Sequence, residues 1–301
     1  MNKPAQTTAA ETPERTSAGI ILMCAGVACL SANDALAKFL VADHAPLQIL
    51  FLRNVIALPF ALALVLVLGG RGALRSHKPA AHLVRGVLWI AATILFFTSF
   101  RHLELAEATA LIFVAPLFIT ALSALFLGEI VGRRRWQAVI VGFIGVLIVI
   151  RPGSAAFQPV SLLPVLTALI YAVLMLSARW VDSRESVWTM LLYLTGTSAV
   201  LSALIVPFFW TPVRPETLWL FVAIALSGTA GMTMMTQAFR LAPAGIVAPL
   251  DYTGIVWATA FGWLIWREVP DAPAFIGAGV IICSGLFVIW REHRPAKPPG
   301  P

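Results

Sequence analysis

The first long apolar segment of the chain, residues 18–41, contains three polar residues that could do chemistry: Asn33, Asp34 and Lys38. A charge at the centre of a bilayer costs about 2.5–3.5 kcal/mol on insertion scales, so charged residues in such a segment need a partner or a function. Asp34 and Lys38 are four residues apart, and a helix would place them on one face, where they can pair. The pair would either fix the helix against its neighbours or form a polar wall along a cavity. Arg53 in the next apolar segment is interpreted as an anchor to backbone carbonyls or to Asp34.

A second polar group lies near the other end of the chain, where Asp251 and Tyr252 follow Pro249 and precede Gly254. A proline inside a helix removes one backbone hydrogen bond, and the freed groups need new partners. The sequence therefore predicts an irregular stretch that faces a cavity, with a simple kink packed against the next helix as the alternative.

Aromatic and hydroxyl side chains at helical spacing form a third group. Trp89 and Thr93 are four residues apart, and Tyr171 and Trp257 lie away from the ends of their apolar segments. Such residues are either ordinary packing or the lining of a cavity that accepts an apolar solute. One later segment adds side chains that could hydrogen-bond a polar solute, and the candidates there are Thr233 and Gln237.

Catalytic and metal-binding patterns are absent from the sequence. It contains no GxSxG, HExxH or Walker A motif. The three cysteines have no CxxC spacing and the five histidines lie near predicted loops, so neither a disulfide framework, a metal site nor a cofactor is predicted. We therefore expect a protein that is not an enzyme.

The composition indicates the class of protein that must position these residues. Of the 301 residues, 59% are hydrophobic and 12% are charged, about half of the ~25% charged residues of a soluble domain. A mean hydropathy of +0.89 excludes a soluble enzyme, a nucleic-acid-binding protein and a disordered scaffold. The sequence predicts an all-α polytopic protein in the lipid bilayer, with ten transmembrane helices at about 18–41, 46–68, 82–100, 105–127, 136–151, 159–180, 187–209, 217–238, 244–266 and 273–290.

Positively charged residues indicate how these helices are oriented. With a cytoplasmic N-terminus, fifteen Lys and Arg residues fall on the cytoplasmic side and five on the opposite side. Because Lys and Arg are enriched in cytoplasmic loops, we expect both termini to be cytoplasmic and the number of spans to be even. The same enrichment accounts for the net charge of +7 without a nucleic-acid partner.

The two halves of the chain are similar when one is shifted by 139 residues. The shift places Phe100-Arg101 on Phe239-Arg240 and Glu129 on Glu268, and eleven of 52 positions are identical. Five helices are an odd number, so the second copy would enter the membrane from the opposite side, as in secondary transporters with a midplane site between inverted repeats. The predicted units are residues 18–151 and 156–291, between cytoplasmic tails over 1–17 and 292–301.

The first unit carries a recognisable set of features, which are Arg53, Pro116-Leu117, Leu127-Gly128-Glu129, Gly142 and Gly145. This set resembles the EamA-type repeat of the drug/metabolite transporter superfamily. The second unit departs from it at Arg267-Glu268 and at Ile255, which stands in the place of the proline. The resemblance implies ten helices in two inverted five-helix repeats around a central cavity. Among subgroups it is greatest for the YddG-type bacterial exporters of amino acids, aromatic ones included.

These observations favour a secondary transporter of the bacterial inner membrane. It would export small amphiphilic metabolites by alternating access, with amino acids, aromatic ones included, as the expected small-molecule substrates. The alternatives are a carrier for a drug, a nucleotide-sugar or a sugar phosphate, and a channel-like facilitator. For a zwitterion we expect Asn33 and Tyr252 to hydrogen-bond the substrate while Asp34 and Lys38 neutralise each other, and we expect the aromatic residues to line the cavity. The predicted substrate site comprises Asn33, Asp34, Lys38, Trp89, Thr93, Tyr171, Thr233, Gln237, Asp251, Tyr252 and Trp257.

Overall fold

The computed structural model describes residues 13–128, 131–155, 157–180 and 185–292, and within these ranges the chain is helical without a strand. Residues 1–12 and 293–301 of the two predicted tails, and Glu129, lie outside the described residues. The first helix already begins at Pro13, so the predicted boundary between tail and helix at residue 18 is five residues too late. The helices of the described ranges are α1 (Pro13–Leu40), α2 (Pro46–Leu64), α3 (Pro79–Ser99), α4 (Leu105–Ile112), α5 (Ala115–Phe126), α6 (Arg133–Ile150), α7 (Leu162–Leu176), α8 (Val187–Ile205), α9 (Leu218–Leu241), α10 (Ala244–Val247), α11 (Gly254–Phe261) and α12 (Ala272–Glu292).

Eight helical segments of the described chain are long and apolar enough to cross a membrane, which confirms the predicted all-α polytopic fold. They are Glu14–Leu40, Pro46–Gly69, Pro79–Ser99, Leu105–Phe126, Pro159–Leu176, Val187–Phe209, Pro215–Leu241 and Ala272–Trp290. The other two predicted spans are α6, which begins with three arginines, and residues 244–266, which a 3-10 turn interrupts. The count of ten spans stays a prediction.

Several helix ends are set by residues suited to them. Pro46 and Pro79 lie in the first turns of α2 and α3, where a backbone N–H has no partner within the helix. The hydroxyl of Ser186 caps α8 by accepting a 3.1 Å hydrogen bond from the backbone N–H of Thr189.

Two membrane segments are broken near their middle, at corresponding positions of the two halves. The first break separates α4 from α5 at Pro116, and the second is a 3-10 turn over Ala248–Thr253 that contains Pro249. Each proline lacks the N–H that would continue the helical hydrogen bonds. Phe113 and Tyr252, which the 139-residue shift superimposes, meet edge to face with ring centroids 5.1 Å apart. The irregular stretch predicted at Pro249 is therefore present, and it packs against its counterpart.

Two helix pairs, α1 with α9 and α6 with α12, pack closely along their lengths. Glycines face each other in both pairs. A Cβ built on Gly277 would lie 2.7 Å from the carbonyl oxygen of Gly145, and one built on Gly145 would lie 2.9 Å from the carbonyl oxygen of Gly277. Gly26 of α1 and Gly231 of α9 have the same reciprocal relation, at 3.0 and 2.9 Å. Small residues at these crossings let the backbones approach, as is common between membrane helices.

Gly277→Ala is expected to lower the free energy of unfolding by about 1–3 kcal/mol, the usual cost of overpacking. The new methyl group would lie 2.5 Å from a methyl carbon of Val149, so α12 would have to move away from α6. Gly279→Ala is the matched control, because a Cβ there has no atom within 4 Å; since alanine favours a helix, its stability should be equal or higher. Unfolding of the two purified variants in detergent measures both changes in stability. Equal losses in the two variants would contradict the close contact.

Candidate functional site

A cavity of about 280 Å³ lies between the two halves of the helical bundle. Its walls come from α1, α2 and α3 of the first half and α7, α8 and α9 of the second, with Ile112 of α4. The lining is mostly apolar, and its polar side chains are Asn33, Asp34, Arg53, Asn54, Thr93, Thr167, Tyr171, Thr195 and Thr229. An apolar cavity with a few converging polar groups is the usual form of a site for a small molecule.

Two opposite charges face this cavity, Asp34 from α1 and Arg53 from α2. They are close enough to attract each other, yet neither head group makes an ion pair or a hydrogen bond within the described ranges. Asn54, which is 4% exposed, has an amide nitrogen without a hydrogen-bond partner among the described residues. Polar groups in an apolar site are costly when they are unpaired. These three side chains are therefore the strongest candidates for contact with a solute.

Aromatic rings hold the guanidinium of Arg53 in place. Its central carbon lies 5.8 Å from the ring centroids of both Trp89 and Phe97. A cation within about 6 Å of an aromatic face is attracted to it, and this contact leaves the N–H donors unused. The expected anchor to backbone carbonyls is not found in the described part of the chain, and Asp34 is a near neighbour of Arg53 rather than its ion-pair partner.

The predicted pairing of Asp34 with Lys38 is wrong. The Nζ of Lys38 donates to both carboxylate oxygens of Glu268 at 2.6 Å and to the backbone oxygen of Leu103 at 2.9 Å. These three acceptors surround the ammonium at the end of α1, whereas Asp34 lies one turn away and faces the cavity. Lys38 is consequently absent from the cavity lining, and the charge of Asp34 is left exposed to a solute.

Five of the eleven predicted site residues line the cavity, and they are Asn33, Asp34, Trp89, Thr93 and Tyr171. Two of them are also held by the protein itself. The amide of Asn33 donates to the backbone oxygen of Ile224 at 2.7 Å, and the hydroxyl of Thr93 donates to that of Trp89 at 2.8 Å. Asn33 thereby ties α1 to α9 beside the cavity.

Three further predicted residues lie away from this cavity. Trp257 is 38% exposed and stacks on Phe261, so the expectation that it lines the cavity does not hold. The hydroxyl of Thr233 donates within its own helix to the backbone oxygen of Thr229 at 2.7 Å. Gln237, one helical turn further along α9, is also outside the lining.

The polar residues of the second break are also outside the lining. Asp251 is exposed, and Tyr252 is buried with its ring against Phe113. The hydroxyl of Tyr252 has no hydrogen-bond partner among the described residues and packs against Gly285, where it occupies the space that a Cβ would need. The expected contact of Asn33 and Tyr252 with one solute is not supported by this placement, because the break packs between helices.

Comparison with known proteins agrees with this architecture. A profile described as the EamA-like transporter family matches residues 17–151 and again residues 158–290. The chain belongs to the EamA-like transporter family. It is 30% identical to the S-adenosylmethionine uptake transporter of Rickettsia bellii, over 88% of this chain and 90% of the relative. It is also 30% identical to the pseudopaline exporter CntI of Pseudomonas aeruginosa, over 92% and 97%, and to the riboflavin transporter of Vibrio cholerae, over 92% and 94%.

A solved structure has the same fold as this EamA-like transporter. That crystal structure is 20% identical and superimposes with a TM-score of 0.62, over 92% of this chain and 99% of the other. Family and relatives are transporters, so the protein is a multi-pass membrane transporter and not an enzyme. The resemblance to the EamA type is confirmed, whereas these relatives are not amino-acid exporters of the YddG type.

Asn54 of this EamA-like transporter was not among the residues predicted from the sequence, and Arg53 was predicted only as a structural anchor. A usable signal was present, because Arg53-Asn54 is a polar pair inside an apolar segment, as is Asn33-Asp34. Thr195 and Met175 also line the cavity, but in the sequence they resemble ordinary packing residues.

Proposed function

We propose that this transporter carries a small amphiphilic metabolite with a planar ring and groups of both charges, and that aromatic amino acids are the finer candidates. The observation that carries the proposal is the presence of Asp34 and Arg53, unpaired and of opposite charge, on one cavity beside Trp89. A solute carboxylate would bind the guanidinium, which donates to carboxylates in a planar fork. A solute ammonium would bind Asp34, and the ring would pack among the aromatic side chains.

The balance of charge argues against a sugar phosphate or a nucleotide-sugar. Such solutes need several cations around the phosphate. Lys38 is paired with Glu268 and does not line the cavity. Arg53 is therefore the cation of the described cavity wall, and Asp34 lies beside it. A zwitterion matches one positive and one negative group, and a dianion does not.

The relatives support a solute with a planar ring. S-adenosylmethionine and riboflavin, named for two of them, each combine a flat heterocycle with a polar chain. The cavity of 280 Å³ is just below the ~300–1,000 Å³ typical of ligand pockets. This volume favours a solute with a single ring system of modest size.

The membrane arrangement is part of the proposal. We infer ten spans in two inverted units, residues 18–151 and 156–291, with both termini cytoplasmic and export across the bacterial inner membrane. The two profile matches, the breaks near Pro116 and Pro249, and the bias of Lys and Arg support the arrangement of the spans. The pseudopaline exporter is the relative whose name agrees with export. A channel-like facilitator is the second candidate, but the described cavity wall carries few polar groups for a continuous pore.

Transport by the purified protein in proteoliposomes tests the proposal. The assay measures uptake of a panel of labelled solutes that contains aromatic and aliphatic amino acids, S-adenosylmethionine, riboflavin and a sugar phosphate. Saturation and counterflow would identify a carrier, and flux without either would identify a facilitator. Preference for the sugar phosphate over every zwitterion would overturn the proposed substrate class.

Trp89→Ala is expected to slow uptake of a ring-bearing solute about tenfold relative to a small aliphatic zwitterion. Loss of a stacked aromatic contact is worth about 0.5–1.5 kcal/mol, and about 1.4 kcal/mol corresponds to tenfold. Trp257→Ala is the matched control, since that tryptophan is outside the cavity lining, and it should keep the ratio of the two rates. An equal fall for both solutes in Trp89→Ala would instead show that the residue only supports the packing of α3.

A further inference from the structure

A buried carboxylate fastens one end of the bundle. One oxygen of Glu185, Oε1, accepts hydrogen bonds from the hydroxyl of Ser76 at 2.8 Å and from the backbone N–H groups of His77 and Lys78. Its other oxygen lies 2.7 Å from Nε2 of His82, and the side chains of Glu185 and His82 are 1% and 0% exposed. These contacts, here named the Glu185 clasp, join the segment before α8 to the segment between α2 and α3.

Neighbouring side chains reinforce the Glu185 clasp. The ring of Tyr193 stacks on His82 with centroids 4.7 Å apart. Arg85 donates to the backbone oxygen of Leu174 at 2.8 Å and to the hydroxyl of Ser177 at 3.0 Å. Burial raises the pKa of Glu185, but the hydrogen bonds from His82, Ser76 and His77 outweigh burial and lower it below the usual value. The clasp therefore holds a charged carboxylate.

The opposite end of the bundle, where the Lys38–Glu268 ion pair also lies, carries a neutral set of bonds. The side-chain amide of Gln48 donates to the backbone oxygen of Thr211 at 2.7 Å and accepts from its N–H at 3.0 Å and its hydroxyl at 2.7 Å. His44 lies 2.8 Å from the same hydroxyl, and its ring contacts Phe221 at 5.2 Å. These contacts, here named the Gln48 clasp, join the start of α2 to the segment between α8 and α9.

The two clasps are counterparts in the two halves of the chain. In the Gln48 clasp, the connection between the first two spans of the first half binds a segment of the second half. That segment lies between the second and third spans of the second half. The Glu185 clasp makes the same connection with the halves exchanged. The 139-residue shift also places His82 on Phe221, the ring in contact with the opposite clasp. The cavity lies between the two clasps, and both are closed in this structure.

We propose that the Glu185 clasp and the Gln48 clasp are the two gates of the carrier, and that each transport cycle opens them in turn. The proposal rests on the proposed carrier function, because alternating access requires that one end of the cavity open while the other stays closed. Each clasp ties one half of the chain to the other through loops and helix ends, so breaking it removes a tie at that end and leaves the close α6–α12 contact in place. At the end of the Gln48 clasp the Lys38–Glu268 ion pair is a second tie between the halves, which must also open.

The chemistry of the two gates differs. Opening the Glu185 clasp exposes a carboxylate and the four donors that satisfy it, whereas opening the Gln48 clasp exposes one amide and its partner. Removing either acceptor leaves buried donors without a partner, which water satisfies once the end is open. A clasp variant should therefore shift the equilibrium toward the state that is open at its own end.

Cysteine labelling from each side of the membrane tests the two gates. The reporter is Thr229→Cys in the cavity wall, in a chain whose Cys24, Cys29 and Cys283 are replaced by alanine. A separate Gly72→Cys variant, at a site with no atom within 4 Å of its Cβ, identifies the vesicle face on which the Glu185 end lies. The rate of reaction with a membrane-impermeant thiol reagent is measured on vesicles of both orientations.

Glu185→Leu should raise the rate at the Glu185 face about tenfold and lower it at the other face, since loss of a net hydrogen-bond energy near 1.4 kcal/mol shifts a two-state equilibrium tenfold. Gln48→Leu should give the reverse pattern. Glu216→Leu, which removes an exposed carboxylate, should change neither rate. Glu185→Gln keeps an acceptor for the loop and should change the labelling rates in the same direction by a smaller factor. This variant replaces Glu185→Leu in the test if the leucine variant does not fold.

Equal increases at both faces would show general loosening and would overturn the gates, as would unchanged rates in both clasp variants. The labelling does not depend on which solute is carried. If the clasp variants change the labelling rates at one face but no panel solute shows saturable uptake, the gates are upheld and the proposed substrate class is overturned. If uptake is saturable but the labelling rates do not change in this way, the substrate class is upheld and the gates are overturned.

Discussion

Glu268→Leu is expected to lower the free energy of unfolding by about 3 kcal/mol, the lower end of the ~3–5 kcal/mol found when one partner of a buried ion pair is removed. The side chain of Lys38 is 7% exposed, and the substitution would leave its ammonium with the Leu103 oxygen and the face of the Trp266 ring but no carboxylate. The lower end of the range applies because Glu268 is 25% exposed and water reaches it.

A double-mutant cycle with Lys38→Met measures the pairing itself. The variant that carries both substitutions should be more stable than Glu268→Leu alone, because no charge is left unpaired. Asp34→Asn combined with Lys38→Met is the matched control and should be additive, since these two residues make no contact that the described structure records. Coupling between Asp34 and Lys38, with additivity between Lys38 and Glu268, would contradict the observed pairing.

Arg53→Met is expected to reduce the transport of a zwitterion about 10- to 100-fold. A hydrogen bond to a charged group contributes about 1.5–3 kcal/mol, and about 1.4 kcal/mol corresponds to tenfold. Methionine preserves the apolar contacts with Trp89 and Phe97 but has no N–H to bind a carboxylate. Initial uptake rates in proteoliposomes, corrected for the amount of folded protein, measure the loss.

Two controls separate binding from folding in this experiment. Arg240→Met removes an exposed arginine from α9 and should transport at the rate of the unmodified protein. The esterified form of the same amino acid lacks the carboxylate, so Arg53→Met should affect its transport much less. An equal loss for the acid and the ester would mean that Arg53 supports the bundle and does not bind the carboxylate.

The sequence predicted the general fold and part of the cavity because both follow from local physical constraints. Long apolar segments must be membrane helices, and Pro249 must interrupt its helix wherever that helix lies. Asp34 and Tyr171 face the cavity for the same reason that they were noticed, since a polar group within a span avoids lipid.

The rest depended on contacts between residues far apart in the chain. The local rule pairs Lys38 with Asp34, whereas folding brings Glu268 to Lys38 from 230 residues away. Trp89 and Trp257 look equivalent in the sequence, but the rotation of each helix against its neighbours directs one ring to the cavity and the other outward. The Glu185 clasp joins residues that are about 100 positions apart in the sequence, and no local sequence pattern predicts it.

The α6–α12 pair has a consequence for how such a protein diversifies. Among the described residues it supplies no side chain to the cavity, while its facing glycines hold the two halves together. Substitutions in the cavity lining are therefore selected by which solutes the cavity accepts. Substitutions in the α6–α12 pair are selected by whether the chain still folds. Descendants of one ancestral chain can acquire different cargoes through a few changes in α1–α3 and α7–α9 while the backbone they inherit stays the same.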